Sequence, residues 1–346
     1  MSVLNVENKK DVERYQSFME KHGCVSQDLR WGKVKSGWDT EAVYLEENGE
    51  ITAAMSFQIR KIIGSYHLLY ANRGPICDFN DIETVKKLVK EAEPIVKKYN
   101  GALLKMDPEI KKSDELKALY EKNGFKVIGD VEDKHDLIQP IYNMILDIDE
   151  DNIDELMKRF SSKTRYNIRV SFRKGVTTRW SRDVEDLKKF YELYTITGSR
   201  DEIACRPYSY FEDMLEAFKD NDVMRIYISE LDGEALSAAL CFHYNNKTWY
   251  MYGASSNNKR NTMPNYQMQY EMIRWAIENG STLYDFGGVF ELTKENGLFK
   301  FKEGFCRREQ QTEYIGEVDK VYHKFIYFLF AKGVPFMKKM RKKLKK

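Results

Sequence analysis

Cysteine pairing is what this chain most conspicuously lacks. Its five cysteines, at positions 24, 77, 205, 241 and 306, form no CxxC pair. Neither a zinc ribbon nor a disulfide framework is suggested, and buried thiols in a reducing cytosol are expected. The five histidines are scattered and no HExxH occurs, so no metal site is signalled. No apolar run approaches the ~20 residues that span a bilayer. The N-terminus, MSVLNVENKKDVERY, has no apolar h-region, so no signal peptide is expected.

What is present belongs to a soluble globular protein. The 346 residues suffice for two domains, with 42% hydrophobic and 32% charged side chains. A net charge of +2 hides an asymmetry. Seven of the 56 basic residues crowd into the last nine positions, KKMRKKLKK, leaving 49 against 54 acidic ones. Just upstream lies the aromatic run Phe325-Ile-Tyr-Phe-Leu-Phe-Ala331. An aromatic segment with a polybasic end can dock on an anionic membrane surface; it can equally be a core helix with a solvated tail.

The chain reads twice. In the first half, strand patterns over Ile51–Ile59 and Tyr66–Asn72 precede a Gly74-Pro75 turn. Val85, Leu88, Val89, Ala92, Ile95, Val96 and Tyr99 then recur at helical spacing, with Asp81 placed to support the helix start. A strand over Ala102–Met106 ends on Asp107. The second half repeats this order: strands over Ala235–Tyr244 and Trp249–Ala254, a polar loop, a helix over Pro264–Glu278, then a strand over Thr282–Phe286 ending on Asp285. Equivalent elements lie roughly 180 residues apart, which argues a duplicated strand–strand–helix–strand unit and an α/β (α+β) class. This order resembles the GCN5-related acetyltransferase (GNAT) fold, present twice. That fold holds coenzyme A pyrophosphate on a Gly-rich loop before its main helix. Here the matching loop, Ser255–Pro264, has no glycine, so another acyl donor is expected.

Two stretches carry candidate chemistry. Ile153–Gly175 reads as one helix with Arg165, Arg169 and Arg173 at i, i+4, i+8, thickened by Lys158, Lys163 and Lys174. That is a stripe suited to nucleic-acid phosphates, or else a solvated face. In YDFGGVFELTKENGLFKFKEGF (284–305), Gly287 and Gly288 permit positive φ or a close backbone approach. Downstream, Lys302 sits between Phe301 and Phe305, where burial would make its charge act at short range.

Further motifs point to one family. SSKTRYNIRVSFRKGV (161–176), MYGASS (251–256), YDFGG (284–288) and LFKFKEGF (298–305) resemble the Fem family of peptidoglycan aminoacyltransferases. QDLRWGKVKSGW (27–38), KMDPE (105–109), CRPYSYF (205–211) and EYIGEVDKV (313–321) extend the likeness over nearly the whole chain, closest to short FemX-type members. The resemblance implies two GNAT-like domains, residues 1–146 with 318–346 and residues 147–317, without the helical-hairpin arm of FemA-type members. The first domain would bind the muramyl-peptide precursor and the second face aminoacyl-tRNA. The implied reaction moves Gly, Ala or Ser from aminoacyl-tRNA to the stem-peptide amine of lipid II or UDP-MurNAc-pentapeptide. The donor ester is already activated, so neither cofactor nor metal is implied.

By the same resemblance, Lys33 and Arg206 would hold the precursor diphosphate, and Tyr210 and Tyr252 would line that groove. Lys302 would stabilise the oxyanion or the tRNA end, and Asp107 and Glu317 are candidate proton acceptors; Asp107 before Pro108 also suits a structural turn. The implied setting is cytoplasmic, with peripheral contact at the inner leaflet through the basic tail. A coenzyme A-dependent N-acyltransferase and a noncatalytic RNA- or membrane-binding protein stay open as alternatives.

Overall fold

The computed structural model describes residues 3–331 and Gly333, so the basic cluster at 338–346 lies outside the described residues. The chain divides into two compact units. One runs to Ile141 and resumes at Glu313; the other is Tyr142–Thr312.

The first unit opens with α1 (Lys9–His22), whose free N–H groups at Lys10 and Asp11 are capped by the Asn8 side chain. It continues through α2 (Trp31–Val34), β1 (Asp39–Glu47), β2 (Glu50–Ile63), β3 (Tyr66–Ala71), α3 (Ile82–Glu91), α4 (Glu93–Lys98), β4 (Gly101–Met106), α5 (Asp114–Lys122) and β5 (Lys126–Ile128). The returning chain adds β13 (Glu317–Val321), and the sheet order is β1-β2-β3-β4-β13-β5. Val85, Leu88 and Val89 of α3, with Ile95 and Val96 of α4, cover Met55, Phe57, Leu69 and Leu104 on one face. On the other face Leu68, Tyr70 and Leu103 meet Ile326 and Tyr327 of a C-terminal helix at 324–331. All six residues of β4 are therefore buried, as a strand covered on both sides must be.

The second unit comprises β6 (Tyr142–Asp147), α6 (Ile153–Met157), α7 (Ser162–Arg173), β7 (Thr177–Ser181), α8 (Val184–Arg200), α9 (Tyr208–Phe218), β8 (Met224–Leu231), β9 (Glu234–Tyr244), β10 (Lys247–Ser255), α10 (Pro264–Glu278), β11 (Leu283–Val289), α11 (Gly297–Glu303) and β12 (Gln311–Glu313). Its sheet order is β12-β6-β11-β10-β9-β8-β7.

The duplication is visible in the pairing. β2 meets β3 antiparallel and β3 meets β4 parallel; β9 meets β10 antiparallel and β10 meets β11 parallel. In each unit the next neighbour of the last core strand comes from outside the repeat, β13 beside β4 and β6 beside β11, both antiparallel.

Three sequence expectations need correction. The helix expected over 153–175 is two helices, because Ser161 turns out of helical geometry and its hydroxyl caps α7 at the Thr164 N–H. The helix expected through Tyr99 breaks at Ala92, where Pro94 opens α4 with a ring that has no N–H to give. Asp285 does not end its strand. β11 continues to Val289 across an irregularity between Asp285 and Gly288. The expected Asp81 cap is present, its carboxylate accepting from the N–H groups of Glu83 and Thr84.

Candidate active site

In the first unit the polar residues gather where β4 ends and β13 begins. Val318 pairs with Met106, which sets Glu317 beside Asp107. Asp107 is buried. Its carboxylate accepts the Tyr70 hydroxyl (2.5 Å) and the Arg73 N–H (2.6 Å). Burial pushes its pKa up to about 6, against the pull of the Arg73 guanidinium. Arg73 is itself buried and pairs with Glu109 at 3.6 Å.

Glu317 accepts the Ile138 N–H (2.7 Å) and the Lys105 ammonium. Lys105 also reaches Asp319 (2.9 Å), which accepts the Tyr327 hydroxyl (3.0 Å). Burial alone would make Lys105 less basic, but Asp319 and Glu317 outweigh it and raise its pKa. Tyr70, Arg73, Lys105 and Asp319 had not been singled out by sequence, though Lys105 stands in the KMDPE motif. Lys33, on α2, is exposed.

In the second unit Lys302 is buried on α11. Its ammonium donates to the Gly288 carbonyl (2.9 Å). Desolvation lowers its pKa to about 8, with Asp285 pulling the other way. The Gly pair shapes this pocket. Gly287 has φ +76°, and a Cβ there would stand 3.7 Å from the lysine nitrogen and 3.8 Å from the Trp249 indole nitrogen. Its N–H is held by the Asp285 carboxylate at 2.7 Å. An L side chain at 287 would be strained by the backbone alone.

Arg206, Tyr210 and Tyr252 come together. The Arg206 guanidinium carbon lies 5.1 Å from the Tyr210 ring centroid, and the Tyr252 hydroxyl donates to that of Tyr210 (3.2 Å). Burial raises the pKa of both tyrosines. Two unanticipated residues of α8 hold the Arg206 main chain: the Tyr194 hydroxyl accepts its N–H (3.4 Å) and the Tyr191 hydroxyl donates to its carbonyl (3.3 Å). A tyrosine on each of two successive helical turns was the available signal.

The arginines of α7 differ in their engagement. Arg165 bonds the carbonyls of Lys158 and Phe160, closing the break between α6 and α7. Arg169 is exposed and lines a cavity of about 480 Å³ with Lys158, Arg165, Phe172 and Tyr270. Arg173 is exposed over the Tyr166 ring. The start of α7 adjoins the end of α11, since the Ser161 N–H donates to the Gly304 carbonyl (2.8 Å).

Comparison with known proteins matches this arrangement to one family. The FemAB family profile matches residues 10–236 and 225–332. The chain is 37% identical to a UDP-N-acetylmuramoylpentapeptide-lysine N(6)-alanyltransferase of Weissella viridescens, over 94% of this chain and 98% of that protein. It is 29% identical to a lipid II:glycine glycyltransferase of Staphylococcus epidermidis, over 99% and 98% of the two chains. The crystal structure of FemX superposes with a TM-score of 0.85 at 26% identity, covering 96% of this chain and all of that one. A tandem GNAT protein from the clavulanic acid pathway shares the fold, with a TM-score of 0.54 at 9% identity over 92% and 97% of the chains. With a matching profile over most of its length and relatives aligned end to end, the chain belongs to the FemAB family.

Proposed function

We propose that this aminoacyltransferase moves glycine, alanine or serine from aminoacyl-tRNA to the stem-peptide amine of a peptidoglycan precursor, lipid II or UDP-MurNAc-pentapeptide, building the interpeptide bridge. The relatives named above act as alanyl and glycyl transferases on such acceptors. The observation that carries the reading is Lys302, a buried amine with a pKa of about 8 beside a glycine-built turn. The acceptor amine attacks the ester carbonyl, negative charge gathers on that oxygen, and the ribose oxygen leaves with a proton as the amide forms. A cation in a desolvated pocket suits that oxyanion, and one such donor is worth ~10²–10³ in rate.

In this reading Lys33 and Arg206 bind the precursor diphosphate, Tyr210 and Tyr252 line its groove, and Arg165, Arg169 and Arg173 meet tRNA phosphates. Asp107 and Glu317 are the carboxylates nearest the proton-transfer role. The first unit takes part in precursor binding, and the second also carries the tRNA-facing helix α7. The protein works in the cytoplasm and reaches the inner leaflet through its basic C-terminus to meet a lipid-linked acceptor. Among the described residues no helix is long and apolar enough to cross a membrane.

The test incubates the protein with a mixed pool of charged tRNAs and both precursor forms, and weighs the products. An acceptor heavier by one amino acid residue, lost on RNase treatment, is expected. Consumption of acetyl-coenzyme A with no tRNA-dependent product would replace this reading with the coenzyme A one. Tight tRNA or vesicle binding without transfer from any donor would leave a binding protein.

A further inference from the structure

The C-terminal helix at 324–331 buries one side against the first sheet. Ile326 and Tyr327 are buried against Leu68, Tyr70 and Leu103. Tyr327 fixes the helix twice more, through its bond to Asp319 (3.0 Å) and through the Lys126 ammonium 4.3 Å from its ring centroid. The His323 ring nitrogen accepts the Ile326 N–H (3.3 Å) at the helix start. On the outer side Phe325, Phe328 and Leu329 are 64%, 52% and 38% exposed. They fall at i, i+3 and i+4, so they form one patch; three scattered apolar residues would need no explanation.

The sequence around this patch carries charge of one sign. From Lys320 to Lys346 there are ten lysines and arginines and no aspartate or glutamate. An apolar protein groove would satisfy the aromatic stripe but has no use for ten cations. A nucleic acid would satisfy the cations but leave the aliphatic and aromatic edge in water. An anionic phospholipid surface satisfies both, with rings at the acyl boundary and ammonium groups among the phosphates.

We propose that Phe325, Phe328 and Leu329 form a membrane-inserting face that docks the first unit on anionic phospholipid. This deepens the inner-leaflet reading above, and rests on it for its purpose, by naming the inserting residues. Because Tyr327 ties the helix to Asp319, and Asp319 and Lys105 tie it to Glu317, docking would orient the end of the sheet that carries the candidate proton acceptors Asp107 and Glu317.

The full-length protein is sedimented with vesicles of phosphatidylcholine alone and with phosphatidylglycerol added to about a third. Expected is binding to the anionic vesicles only, weakened by salt. Phe325→Ser with Phe328→Ser should weaken it at least about tenfold, with an unchanged circular dichroism melt and unchanged transfer to the soluble precursor. Each single substitution, at an exposed position, should give part of the loss. Absence of binding to anionic vesicles overturns the proposal. So does undiminished binding by the double variant, which would leave only the basic tail. A concentration-dependent dimer that the double variant abolishes, without vesicle binding, would assign the face to a second copy. Vesicle binding requires neither tRNA nor acceptor, so its failure and failure of the transfer reaction are separable results.

Discussion

Lys302 shows at the residue scale how stability is traded for chemistry. Folded, it titrates near 8 instead of the ordinary 10.5 because burial strips water from its charge. Between those values the unfolded chain holds the extra proton, so stability rises with pH there, and below about 8 the penalty is felt in full. Lys302→Met should therefore melt higher at pH 7, by about 1–2 kcal/mol once the lost bond to the Gly288 carbonyl is set against it. The same variant should lose ~10²-fold or more in transfer while still binding precursor; unchanged transfer removes Lys302 from the chemistry. Asp107 supplies a second limb. With its pKa up at about 6, it is mostly carboxylate only above that pH. A single-turnover rate should rise through about pH 6 and fall beyond about 8, with Asp107→Asn flattening the acid limb. An acid limb that survives Asp107→Asn would assign the proton elsewhere and leave Asp107 as the clamp between Tyr70 and Arg73.

At the scale of elements, what was legible depended on where each partner lies along the chain. The Pro264–Glu278 helix matched its expectation because its start signal, a proline in the first turn, and its periodicity are local. The breaks at Ala92 and Ser161 were missed because apolar spacing continues across both while the backbone does not, although Pro94 and Ser161 were there to be read. Short strands such as β5 and β13, three and five residues long, offer too little alternation to stand out. The Arg206–Tyr210–Tyr252 grouping rested on family likeness, since Tyr252 reaches it from a strand more than forty residues away. For α7 the structure separates roles the spacing could not. Arg165 is partly spent on the carbonyls of Lys158 and Phe160, whereas Arg169 and Arg173 are exposed. Arg169→Ala and Arg173→Ala should each lower the salt dependence of tRNA affinity by about one unit of log–log slope without affecting the melt. Arg165→Ala should also lower the melting temperature. Equal salt slopes in wild type and the Arg169/Arg173 variants would remove the stripe from tRNA contact.

At the scale of the molecule, the repeat was readable from periodicity, while the return of the chain to its first domain came only from the family likeness. Periodicity identified two strand–strand–helix–strand runs; nothing local told that the first sheet must wait for β13, more than two hundred residues after β4, to complete it. β5 pairs with β13, and β13 separates it from β4. The ammonium of Lys105 is buried against the carboxylates of Glu317 and Asp319. A chain ending at Ile141 would lose the counter-charges of Lys105 together with the strand and helix that bury it, and would bare the apolar face of Leu68, Tyr70 and Leu103. It would also present β4 as an open edge. Residues 1–141 alone should be insoluble or molten. The same segment joined by a flexible linker to residues 313–346 should fold with a cooperative melt, since the missing strand, both carboxylates and Tyr327 return together. Residues 142–312 carry β6 next to β11 within their own span and should fold without either. Circular dichroism melts of the three chains decide it. A cooperative transition in residues 1–141 alone would mean that β13 and its carboxylates complete a sheet already stable without them.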